Sequence, residues 1–231
     1  GGAGGDFDAP LDKAYAGRCD IFAAWVHGTE GLQCKCSRCA LLRDRPDLAS
    51  IDKEVSSAFQ AAAEQVTRSN GDCTMASAGD AALSPTRRNE IVAAHMELPP
   101  FLQHTPVRMC KIMEGTSLAA KGKHGAALDA YEKAAAIGYA MRGGGAQLDR
   151  VTDLCRVVGG SLAACNGTDG RAMTALREVW KCCQAAQTIT PEEFLLLSQK
   201  YVLPWWIDSS DGIEERVKVV SSMCARVVQG K

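Results

Sequence analysis

Apolar residues recur at helical spacing along most of the chain, and no stretch keeps the strict alternation of a half-buried strand. Between residues 11 and 26, Tyr15, Ile21, Phe22, Trp25 and Val26 predict one amphipathic helix, which His27-Gly28-Thr29 breaks. Ser50 or Asp52 is expected to cap a helix through Val55, Phe59, Ala62 and Val66. Residues 69–84 are polar, contain glycine and carry few apolar side chains, so a mobile loop is expected there. That connection is longer than a compact helical pair needs. Ser84-Pro85 opens the next helix with a cap and then a proline at the first helical position, and Pro99-Pro100 ends it. From Pro106 helices dominate: to about residue 121, then about 125–139, 146–164 and 171–186. Thr190-Pro191-Glu192-Glu193 is a capping box, and Asp211 with Glu214 repeats the signature before a last helix bearing Val217, Val220, Met223, Cys224 and Val227. Trp205-Trp206 lies in the connection between these two. The β-branched residues Val217, Val219 and Val220 keep helical spacing, so the expected fold class is all-α.

Composition narrows the function classes. Hydrophobic residues make up 46% of the 231 and aromatics only 6%, which suits a buried core of closely packed helices. The formal net charge is −1, which leaves no electrostatic footprint for nucleic acid, and no Lys/Arg block marks an anionic membrane surface. No apolar run approaches the roughly 20 residues that span a bilayer. Residues 1–10 start Gly-rich and form a flexible linker or a truncated end, with no signal-peptide pattern visible. The 11 cysteines are an odd number, and eight of them (Cys19, Cys73, Cys110, Cys155, Cys165, Cys182, Cys183, Cys224) are scattered. This argues for free thiols in a reducing compartment over a secreted disulfide framework. The expectation is an intracellular protein, cytoplasmic or nuclear, with no nucleic-acid or membrane partner. In that compartment the sequon Asn166-Gly167-Thr168 is a chance match.

One helical pair carries a repeat signature. Gly115 stands where a first helix needs a small residue, Gly122 falls at the turn, and Ala127, Tyr131 and Ala134 give the second helix a small–large–small face. The stretch from Arg108 to Gly138 therefore resembles a tetratricopeptide repeat, although Lys111 and Glu114 occupy positions where that repeat prefers apolar residues. The resemblance implies stacked antiparallel helical hairpins over residues 106–231. Such a stack either packs as a scaffold or offers a groove to a protein or peptide.

The densest chemistry lies in Gly31-Leu32-Gln33-Cys34-Lys35-Cys36-Ser37-Arg38-Cys39. Three thiolates so close in sequence cannot all pair with one another, but they can converge on one Zn²⁺. Cys34, Cys36 and Cys39 are therefore the expected ligands of a structural zinc knuckle. Its fourth ligand is Cys19, His27 or Cys73, or comes from outside the chain.

Gly31, Leu32, Cys34, Cys36, Arg38 and Cys39 together resemble the post-SET segment of SET/MYND-type protein lysine methyltransferases, in which a tetratricopeptide-like domain follows. The resemblance implies an S-adenosylmethionine-dependent enzyme whose C-terminal region is this chain: a post-SET-like helix and knuckle at 11–48, further helices at 49–105, and the helical domain at 106–231. The family's catalytic core has no counterpart here. There is no Asn-His-x-Cys, and only 33 residues precede Cys34. No catalytic or cofactor-binding residue is therefore assigned, and S-adenosylmethionine is expected only with a SET core upstream. The alternative is a non-catalytic, zinc-stabilised interaction scaffold.

The remaining polar residues read as structural. Cys182-Cys183 cannot face one way on a helix, so packing is expected. His95 and His104 flank the Pro99-Pro100 break and His124 sits in a hairpin turn, so all three are expected at the surface or in loops. Asp149, Arg150 and Asp153 read as an exposed helix face. No Ser-His-Asp pattern or phosphate-cradling glycine loop is present, and Arg142-Gly143-Gly144-Gly145 lacks a preceding strand.

Overall fold

The computed structural model describes residues 37–69, 75–96, 104–142, 148–165, 170–186, 189–206 and 212–230. All regular structure among the described residues is helical, with no strand, and the fold class is all-α. The chain divides into two compact units, Gly1–Cys110 and Lys111–Lys231. The predicted helix at 11–26 lies outside the described residues.

In the first unit α1 spans Ser37–Asp44 and α2 spans Pro46–Arg68. Helix α2 starts earlier than the sequence suggests. Pro46 takes the first helical turn, and the Arg45 guanidinium donates to both carboxylate oxygens of Asp47. Ser50 and Asp52 thus lie inside the helix and not at its start. Asp52 is buried on the same stripe as Leu48, Val55 and Ala62.

Helix α3 occupies Met75–Ala82, within the segment expected to be a loop. Ala76, Ala78, Ala81 and Ala82 supply strong helix propensity, and Met75 is the one large apolar residue, so the hydrophobic pattern alone could not reveal the helix. Ala78 is fully buried, and α3 packs on α2.

Helix α4, Pro85–Met96, opens as the sequence predicts: the Arg87 N–H donates to the Ser84 hydroxyl and Pro85 begins the helix. The Arg87 side chain then donates to both oxygens of Glu54 on α2 and to Glu90, which draws the two helices together. Arg88 is buried and holds the Leu83 carbonyl at 3.0 Å and Asp80 at 2.7 Å.

Helix α5, His104–Ala120, crosses the division between the units. In the second unit it ends at a turn where Gly122 has φ 70°, the left-handed region that favours glycine. The Gly122 N–H donates to the Ala119 carbonyl and the Lys123 N–H to that of Leu118, which satisfies two of the helix's last carbonyls. Helix α6 follows at His124–Arg142, then α7 at Leu148–Cys165, α8 at Gly170–Ala186, α9 at Pro191–Val202 and α10 at Ile213–Val228. A short 3₁₀ turn, Leu203–Trp205, extends α9.

Helix α7 is the centre of this unit and packs against α6, α8, α9 and the 3₁₀ turn, while α10 closes on α8 and α9. Leu128, Val158, Leu162, Leu176, Val179, Phe194, Val220 and Met223 form one continuous core.

The two predicted capping boxes differ in outcome. At Thr190 the box is complete: the Glu193 N–H donates to the Thr190 hydroxyl, and the Thr190 N–H donates to the Glu193 carboxylate. Before α10 the cap is Gly212, without a side-chain hydrogen bond, and Asp211 lies outside the described residues. Replacing Thr190 by Ala is expected to lower the stability of this unit by about 1 kcal/mol in urea unfolding, because it orphans a helix N–H. Thr190→Ser, which keeps the capping hydroxyl, serves as the control.

Candidate functional site

Of the three predicted zinc ligands, Cys34 and Cys36 lie outside the described residues, as do Cys19, His27 and Cys73. Cys39 falls in the first turn of α1, where only the backbone is described. Among the described residues no three His, Cys, Asp or Glu side chains are grouped to hold a metal ion.

What the second unit does bring together is an aromatic and charged column that crosses its core. Tyr131 on α6 is 1% exposed, and its ring lies between two glycines. A Cβ on Gly115 of α5 would meet the ring, with Cδ1 only 2.6 Å away, and a Cβ on Gly160 of α7 would lie 2.8 Å from Cδ2. The sequence signature thus marks a real close approach at Gly115 and Tyr131, whereas Gly160 is a clamp residue that the sequence analysis missed. Its signal was the Gly159-Gly160 pair inside an apolar helix, where glycine is otherwise costly. Gly159 serves a second approach: a Cβ there would lie 2.6 Å from the Val202 carbonyl and 2.8 Å from the Trp205 Cβ.

The Trp205 ring meets Tyr131 edge-on, with centroids 5.7 Å apart and planes at 75°. Over Trp205 sits the Arg156 guanidinium, 4.2 Å from the ring centroid, and Arg156 donates to Asp153 at 2.5 Å. Asp153 and Arg156 are both buried, so Asp153 is part of the core and not of the exposed face expected for it. Arg150 is also largely covered, lying 4.6 Å from the centroid of the half-exposed Tyr139 ring. The side chain of Asp149 lies outside the described set. The charged pair reads as a buried anchor, since a guanidinium on an aromatic face gains both stacking and charge stabilisation there.

The histidines differ from expectation as well. His95 is buried, with Nδ1 2.7 Å from the Ile91 carbonyl. Its position one turn after Ile91 puts it on the buried face of α4, a placement that the nearby Pro-Pro break obscures. His124 is half-buried at the start of α6, and the side chain of His104 is not among those described.

The cysteines described separate into two environments. Cys110, Cys155, Cys182, Cys183 and Cys224 are buried, as packing cysteines in a core would be, whereas Cys165 is exposed. Burial pushes the Cys155 thiol well up, with Cys183 and Cys224 nearby adding to the effect. It raises Cys182 and Cys183 too, and Cys224, where Ser198 opposes it. Tyr131 is likewise raised by burial, against smaller opposing contributions from Thr116 and Arg156. Cys155, Cys182, Cys183 and Cys224 are therefore poor nucleophiles and poor metal ligands in the folded chain.

The same shifts fix a pH dependence. In the unfolded chain a thiol loses its proton near pH 8.5, while the buried thiols hold theirs to higher pH. Above that pH the unfolded state binds fewer protons, so stability falls as pH rises. The contribution is fully present below about pH 8.5. A urea midpoint measured at pH 7.5 and again at pH 9.5 is expected to drop. A midpoint that holds or climbs would remove the buried thiols as a source of stability.

Comparison with protein-family models, with curated proteins and with solved structures finds no match to this chain.

Proposed function

We propose that this chain is the C-terminal region of a SET/MYND-like, S-adenosylmethionine-dependent protein lysine methyltransferase. One observation carries the reading: Cys34-x-Cys36-x-x-Cys39 runs directly into α1, with Cys39 in its first turn, and further helices follow. The chemistry of the donor set fits zinc, because thiolates suit its tetrahedral shell. A cysteine in a first helical turn also lies where the helix dipole favours the thiolate. Cys34, Cys36 and Cys39 would supply three ligands. Cys19, His27 or Cys73, or a group from outside these residues, would complete the shell. Bound zinc would be structural, fixing the knuckle against the start of α1.

The second unit supports the tetratricopeptide-like part of the proposal through Gly115, the Gly122 turn, and the Ala127, Tyr131 and Ala134 face of α6. In this reading the helical stack walls a cleft for a protein or peptide substrate, and methyl transfer belongs to residues upstream of this sequence.

A second reading is a non-catalytic, zinc-stabilised helical scaffold that binds a partner protein. It requires no catalytic core, and stacked helical hairpins of the kind the second unit builds serve such a scaffold as readily as a substrate cleft.

The native protein containing this chain, isolated from its source, separates the two. Its intact mass, its zinc content and its binding of radiolabelled S-adenosylmethionine would be measured together. The methyltransferase reading expects a mass well above 24.6 kDa, donor binding, and about one zinc per chain that Cys36→Ser abolishes. A mass near 24.6 kDa with zinc but no donor binding overturns it and leaves the scaffold. Absence of zinc from the wild-type protein sinks the knuckle in both readings.

A further inference from the structure

We draw no further inference here: the strongest candidate, the apolar groove of about 290 Å³ between α9 and α10 lined by Pro191, Leu195, Ser221, Cys224, Ala225 and Val228, carries nothing because no feature of the structure shows what covers it.

Discussion

Replacing Asp153 by Ala is expected to destabilise the second unit by about 3–5 kcal/mol, because it leaves the Arg156 guanidinium charged in a place water does not reach. The expectation rests on burial more than on the hydrogen bond itself. Ion pairs at the surface are worth only about 0–1 kcal/mol, and most pairs among the described residues are of that kind, such as Arg68 with Glu64 or Lys218 with Glu215. The Asp153 and Arg156 side chains keep only 4% and 8% of their surface. Losing one partner is then far worse than losing both. The double variant Asp153→Leu with Arg156→Met, apolar and of similar volume, is expected to recover most of the loss. Urea unfolding followed by tryptophan fluorescence is the suitable readout, since Arg156 lies on Trp205 and any loosening changes that indole's surroundings. An Asp153→Ala cost below about 1 kcal/mol would place the pair in the surface class and contradict its role as an anchor.

The same pair shows why part of this fold was legible from sequence and part was not. Helix periodicity, proline positions and the Thr190 box are local properties, and the helices they predicted from Ser84 onward formed close to the expected limits. Burial of a charge is not local. Asp153 and Arg156 stand one turn apart within Val151, Cys155, Val157 and Val158, so they share an apolar neighbourhood. Only the return of the chain through Trp205 shows that a ring covers Arg156. Helix α3 failed to register for the opposite reason: it is built mostly from alanine, which forms helix readily but leaves no hydrophobic stripe to read. His95 was obscured by its closeness in sequence to a Pro-Pro break, although it belongs to a helix that ends at Met96. The cysteine knuckle remains a reading of spacing, because Cys34 and Cys36 fall outside the described residues.

Tyr131→Ala is expected to cost about 3–5 kcal/mol, the range for truncating a fully buried aromatic side chain, and it also tests the glycine clamp. In the wild-type protein Gly115→Ala would drive a methyl group into the Tyr131 ring, and overpacking of this kind costs about 1–3 kcal/mol. The ring is held on its other side by Gly160 and met edge-on by Trp205, so it has little room to yield. With the ring removed, the sign of Gly115→Ala should reverse. Its nearest remaining neighbour is the Ala127 carbonyl at 3.1 Å, a tight contact that a small shift relieves, and alanine is favoured over glycine within a helix by up to about 1 kcal/mol. In the Tyr131→Ala background Gly115→Ala is therefore expected to be neutral or stabilising. The double-mutant cycle would then show a coupling of about 1–4 kcal/mol between α5 and α6. Equal costs for Gly115→Ala in both backgrounds would mean that the glycine does not accommodate the ring. The small-residue signature read from the sequence would then lose its physical cause.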